Sequence, residues 1–159
     1  MNIITTIQAA LTALNSTAEL FLLEESRAEN EELENTGDTI VVFVNDTDNN
    51  ELTQGMELHT TAVYEIDFKT PDEWDNSDGN NTLSYNSAAS SVRIENMKVL
   101  ANSIFSYITA KNDLFPEITE KLKWKKRRTI LREGNGTMSG VKIQLTVVFS
   151  GDRICDYTI

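Results

Sequence analysis

The sequence predicts an α+β fold, a mostly antiparallel sheet packed against one long helix and a short N-terminal helix, in the order α-β-β-β-α-β-β. Three observations predict it. Leu58, Thr60, Ala62, Tyr64, Ile66 and Phe68 alternate with Glu57, His59, Thr61, Glu65 and Asp67, the period of a strand with one face packed and one face wet. Val141, Ile143, Leu145, Val147 and Phe149 repeat that period against Lys142, Gln144 and Thr146. Between these runs, Val92, Met97, Leu100, Ala101, Ile104, Phe105 and Ile108 recur at helical spacing within residues 85–111. At about 1.5 Å per residue that helix spans roughly 36–40 Å, enough to cross a whole sheet.

The remaining elements follow in chain order. Ile3, Ile4, Ile7, Leu11 and Leu14 place one apolar stripe on a helix over residues 2–15, stopped where Asn15 and Ser16 compete for the backbone. Residues 19–25 form a short apolar strand. The acid-rich segment 24–38 has little to bury and reads as a mobile loop. Residues 39–44 are β-branched and apolar without alternation, as in a strand covered on both faces. Residues 45–50 read as a turn. Pro71 ends the long strand, and 70–84 reads as a second mobile loop containing Trp74. Leu122, Trp124 and Ile130 mark a strand whose other side is basic. Glu133-Gly134-Asn135-Gly136 is a hairpin turn, Ser150-Gly151 ends the last strand, and 150–159 is a tail. The chain, 1–159, reads as a single domain.

Charge is divided unevenly along this chain. Residues 1–84 carry 18 acids against only Arg27 and Lys69, whereas residues 85–159 carry 12 bases against 7 acids, together making the net −11. Residues 121–132 alone hold seven of the fourteen bases. Screened surface pairs give a monomer little from such a split. A molecule whose acidic face docks on the basic face of its own copy gains steering and register. Lys125, Lys126, Arg127 and Arg128 are therefore candidates to receive a neighbour, with Glu29, Glu31, Glu32 and Glu34 as candidates to supply the contact. Trp74 is a candidate interface anchor, or else a cap over the local core. The net acidity argues against general coating of nucleic acid.

No arrangement for catalysis or cofactor binding stands out. One cysteine, Cys155, allows no internal disulfide, and Asp156 beside it disfavours a thiolate. His59 is the one histidine and falls on the wet side of its strand. Asp46, Asp48, Asn50 and Glu57 copy part of the spacing of a calcium loop. However, Glu51 stands where the sharp turn needs glycine, and strands rather than helices flank it. No Walker, dinucleotide or zinc motif is present. The first residues lack the basic region of a signal peptide, and no apolar run reaches the length of a membrane span.

The layout as a whole carries one likeness. Its carriers are the helix 2–14, the strand 58–68 leading to Pro71, the helix 92–108, the run Lys125-Lys126-Arg127-Arg128 and the strand 141–149. Over about residues 1–149 this order resembles the tail-terminator, tail-completion and neck-ring (head–tail connector) proteins of tailed bacteriophages. The resemblance implies a structural virion protein without enzymatic activity or cofactor. It implies a homo-oligomeric ring, hexamer or dodecamer, at the head–tail junction or tail end. Portal or connector and tail-tube proteins would stack on it, and genomic double-stranded DNA would pass through its lumen. Synthesis in the host cytoplasm, without secretion or membrane, is implied too. The residues themselves leave two other readings open, an acidic adaptor or regulatory binding module and a small metal-binding protein or enzyme.

Overall fold

The computed structural model describes residues 3–23, 37–43, 48–52, 54, 57–75, 84–132 and 138–153. It is an α+β fold with, among the described residues, two helices, α1 (Ile3–Ala13) and α2 (Ser87–Ala110). Its strands are β1 (Glu19–Leu23), β2 (Thr39–Phe43), β3 (Asp48–Leu52), β4 (Glu57–Pro71), β5 (Trp74–Asp75), β6 (Ser84–Tyr85), β7 (Lys123–Arg132) and β8 (Met138–Arg153). Six of them form one sheet in the order β1-β2-β4-β8-β7, with β3 also on β4, while β5 and β6 pair separately. β1 and β2 are parallel, and every other pairing is antiparallel.

The spine is β4 against β8, which stay opposite one another from Glu57↔Arg153 to Pro71↔Met138. The other edge of β4 is shared. β2 takes its C-terminal half, up to Thr39↔Lys69, and β3 takes its N-terminal half, from Leu52↔Leu58 to Asp48↔Ala62. The alternation read in residues 58–68 and 141–149 places Ile66, Phe68, Ile143, Leu145 and Val147 on one side, buried beneath both helices. Met97, Ala101, Ile104, Phe105 and Ile108 of α2 meet them there, and Ile3, Ile7, Ala10 and Leu11 of α1 complete the core. Phe105 stands edge-on to Phe68, with centroids 5.9 Å apart, and tilts against Trp124 at 5.5 Å.

Local chemistry sets the helix ends. α1 stops because Asn15 takes the left-handed backbone region, φ 54°, which asparagine tolerates. Ser16 N–H then donates to the Leu11 carbonyl at 3.0 Å, closing the helix with the six-to-one bond of a Schellman turn. Asn86 caps α2, its Oδ1 accepting from Ala89 N–H at 2.9 Å.

The structure corrects several expectations. Asp48–Leu52 is a strand, not the end of a turn, because β4 extends far enough to supply a ladder to residues of poor strand propensity. β8 runs through Ser150-Gly151 to Arg153: Ser150 N–H donates to Glu117 O at 2.8 Å, and a register shift between Glu57 and His59 absorbs the irregularity. The segment 70–84 is structured at both ends, by the end of β4 and by β5 with β6, and residues 76–83 lie outside the described residues. So do most of the expected loop 24–38, the expected turn Glu133-Gly134-Asn135-Gly136 and residues 154–159, including Cys155.

Val92 is 61% exposed and does not belong to the buried stripe of α2. It lies five residues before Met97, about 140° around the helix. Ser90, 1% exposed, holds the buried phase instead, its Oγ accepting from Glu73 N–H at 3.1 Å. Arg93 donates to Pro71 O and pairs with Glu73, so polar contacts with the end of β4 seat the first turns of α2.

Gly140 marks the tightest approach in the sheet. A Cβ built there would lie 1.8 Å from the carbonyl oxygen of Phe68, across the β4–β8 ladder. Neither backbone can yield without opening the central pairing. Gly140→Ala is expected to lower stability by about 2 kcal/mol through overpacking, seen as a fall in the urea midpoint. An unchanged midpoint would show that the ladder relaxes freely there.

Candidate assembly surface

β7 is the outer strand of the sheet at the β8 side, and no described segment pairs with its free edge. Its register with β8 runs regularly from Lys123↔Thr146 to Lys126↔Ile143, then shifts, so that Arg128 and not Arg127 stands opposite Lys142. Trp124 faces the helices, where its Nε1 donates to Asn102 Oδ1 at 2.8 Å. Lys123 and Lys125 therefore project from the opposite face, beside Gln144 and Thr146, along a shallow recess of about 270 Å³. Arg127 is the extra residue of the bulge. Lys123, Lys125, Lys126, Arg127 and Arg128 are all exposed. The strand presents cations to both faces of the sheet, because Lys125 and Lys126 are consecutive, and the bulge returns Arg128 to the face of Lys123 and Lys125.

Arg128 opposite Lys142 sets two cations side by side, which alone is unfavourable. Asp67 offsets it. Lys142 Nζ lies 3.3 Å from Asp67 Oδ1, an ion pair whose angle does not make a hydrogen bond, and Lys69 Nζ lies 3.9 Å from Oδ2. Lys142 also sits 4.1 Å above the ring of Phe43. Asp67 is only 2% exposed, not on a wet face as its alternation implied, and Val41, Phe43 and Ile130 are buried on the same side. This end of the second face is a small interior of its own, which period-2 reading cannot distinguish from solvent.

At the opposite side of the sheet, all five residues of β3 are exposed. Among the described strands it pairs with β4 alone, and further along the same side of β4 the sheet continues through β2 to β1. Asn49 and Glu51 face away from the helices, in register with Thr61 and His59, while Asp48 and Asn50 face the helix side. The sequence reading missed this acidic edge because a polar run without β-branched residues carries no strand signal.

The partial calcium-loop set does not converge. Asp46 lies outside the described residues. Asn50 Oδ1 accepts from Thr60 Oγ1 at 2.7 Å, and Glu57 is 3.7 Å from His59 Nε2. Asp48 is opposite Ala62, so Glu57 is five positions away along β4, about 17 Å, and on the other face. Among the described residues no three His, Cys, Asp or Glu side chains group in a way that could hold a metal ion. Glu29, Glu31, Glu32 and Glu34 lie outside the described residues. Trp74 is 39% exposed and packs edge-on against Tyr85, centroids 5.4 Å apart, so it is both partly covered and partly available. No described helix is long and apolar enough to cross a membrane. No protein-family model and no curated protein matches this chain.

Proposed function

We propose that this chain is a structural virion protein of a tailed bacteriophage. It forms a homo-oligomeric ring, hexamer or dodecamer, at the head–tail junction or tail end. DNA passes through the ring, which joins portal or connector proteins to tail-tube proteins. One observation carries the reading: cations line the outer strand β7 on one side of the sheet, and β3, on the other side of β4, exposes Asp48 and Glu51. Unlike surfaces on one subunit favour a heterologous, head-to-tail contact, and such a contact closes into a ring when its rotation allows. The element order supports the same reading through its likeness to tail-terminator and neck-ring proteins.

The test is mass by light scattering over a series of salt and protein concentrations. A discrete hexamer or dodecamer that loosens as salt rises is expected, since screening weakens contacts between exposed charges. A monomer under every condition overturns the ring and favours an acidic adaptor. Arg127→Glu with Arg128→Glu is expected to weaken assembly at least about tenfold at low salt, roughly 1.4 kcal/mol per contact. The folded subunit is expected to keep its melting temperature, because Arg128 stands opposite Lys142 and a carboxylate there removes a like-charge pair. Unchanged assembly would take these two residues out of the contact.

A further inference from the structure

We infer that the segment 154–159 docks into an apolar groove of its own chain, between the start of α1 and the residues that follow α2.

The groove is built from two walls. Thr5, Thr6 and Ala9 of α1 form one, and Leu114, Phe115 and Ile118 form most of the other, around a volume of about 320 Å³. Both are fixed from behind. Ile3, Ile7 and Leu11 hold α1 in the core. The other wall is stitched to β8: Thr119 N–H donates to Val148 O at 3.0 Å, Ile118 bridges Phe149, and Ser150 N–H donates to Glu117 O. Leu114 stands 57% exposed at the rim. A groove that is already formed and mostly apolar gains by exchanging water for apolar side chains.

Reach selects the occupant. β8 ends at Arg153, three residues past Ser150, so the strand stops about 10 Å beyond the bond to Glu117. Six further residues span roughly 20 Å when extended, twice the distance needed to turn back to that bond. Composition agrees. Ile154, Tyr157 and Ile159 are large apolar side chains, three in six residues. The segments 24–36, 76–83 and 133–137 carry only Leu33 and Leu83 of that kind. The last of them also joins β8 at Met138, the far end of a sixteen-residue strand.

A short tether makes the docking favourable. It sets an effective concentration on the order of mM, which modest apolar contact is enough to exploit. Closing so short a loop costs little entropy.

The test uses the chain's one cysteine, Cys155. Ala9→Cys sets a second thiol on the α1 wall, at an exposed position that tolerates the change. With oxidised glutathione, an intrachain disulfide is expected at least tenfold faster than in Val92→Cys. Val92 is 61% exposed and lies about 27 Å along α2 from the end that leads to the groove. Adding Tyr157→Ser and Ile159→Ser to Ala9→Cys is expected to slow the reaction to the Val92→Cys rate. Thr158→Cys with Cys155→Ser and Ala9→Cys moves the thiol along the segment, in case Cys155 faces away from the wall. Slow reaction at both positions overturns the docking, and so does a rate that the two serines leave unchanged. A disulfide that links two chains through Ala9→Cys assigns the groove to a neighbouring copy and overturns docking within the chain.

Discussion

Asp67→Ala is expected to cost about 3–5 kcal/mol, the range for removing one partner from a buried ion pair. Its carboxylate is 2% exposed between Lys142 and Lys69, and Arg128 stands across the ladder from Lys142. Taking the carboxylate away leaves two poorly solvated ammonium groups with less to neutralise them, and a third cation next to them. The loss should appear in a urea titration with an unchanged slope. Asp67→Leu combined with Lys142→Met should recover part of it, because a packed apolar pair of similar volume removes the unpaired charge as well. A double variant no better than Asp67→Ala would mean that the loss comes from packing or from Lys69 rather than from the Asp67–Lys142 pair.

Phe105→Ala is expected to cost about 4 kcal/mol, within the range for emptying a fully buried aromatic position. Phe105 is the side chain at which α2, β4 and β7 meet, with Phe68 edge-on at 5.9 Å and Trp124 at 5.5 Å, and it is entirely buried. For a chain of this size the melting temperature should fall by roughly 8–16 °C. Trp124 reports on the same event, since its indole rests on the emptied position while donating to Asn102. Its fluorescence should shift to the red in the folded state. Phe105→Leu, which keeps most of the volume, should cost only about 1.5 kcal/mol. Equal losses for the two variants would show that the ring stacking, not the filled space, holds the helix to the sheet.

The two arguments differ in how far the sequence could reach. Phe105 belongs to a stripe that ends on Ile104 and Ile108, so its burial was legible from helical spacing. Asp67 was legible only as a polar position on a strand. Its burial depends on Lys142, 75 residues later, and that partnership exists because β4 pairs with β8 in one register. The same holds for the candidate contact surface. The cationic run 121–132 is plain in the sequence, but a bulge after Lys126 sets Arg128 on the same face as Lys123 and Lys125, and bulges follow from ladder geometry that no local pattern encodes. The acidic edge was hidden more completely, since Asp48-Asn49-Asn50-Glu51 reads as a turn until β4 is long enough to hold it as a strand.

By itself, the sequence determined the fold class, the two helices, the long alternating strands, the core residues on their apolar sides and the separation of charge along the chain. Hydrophobic period and capping chemistry act within a few residues, so they can be read without a partner strand. The tertiary structure alone decided that the first two strands run parallel, that β2 and β3 share one edge of β4, that Asp67 is buried, and that β3 and the cationic β7 lie on opposite sides of the β4–β8 pair. Those features depend on contacts between residues far apart in the chain, where the free energy of a paired ladder outweighs local preference.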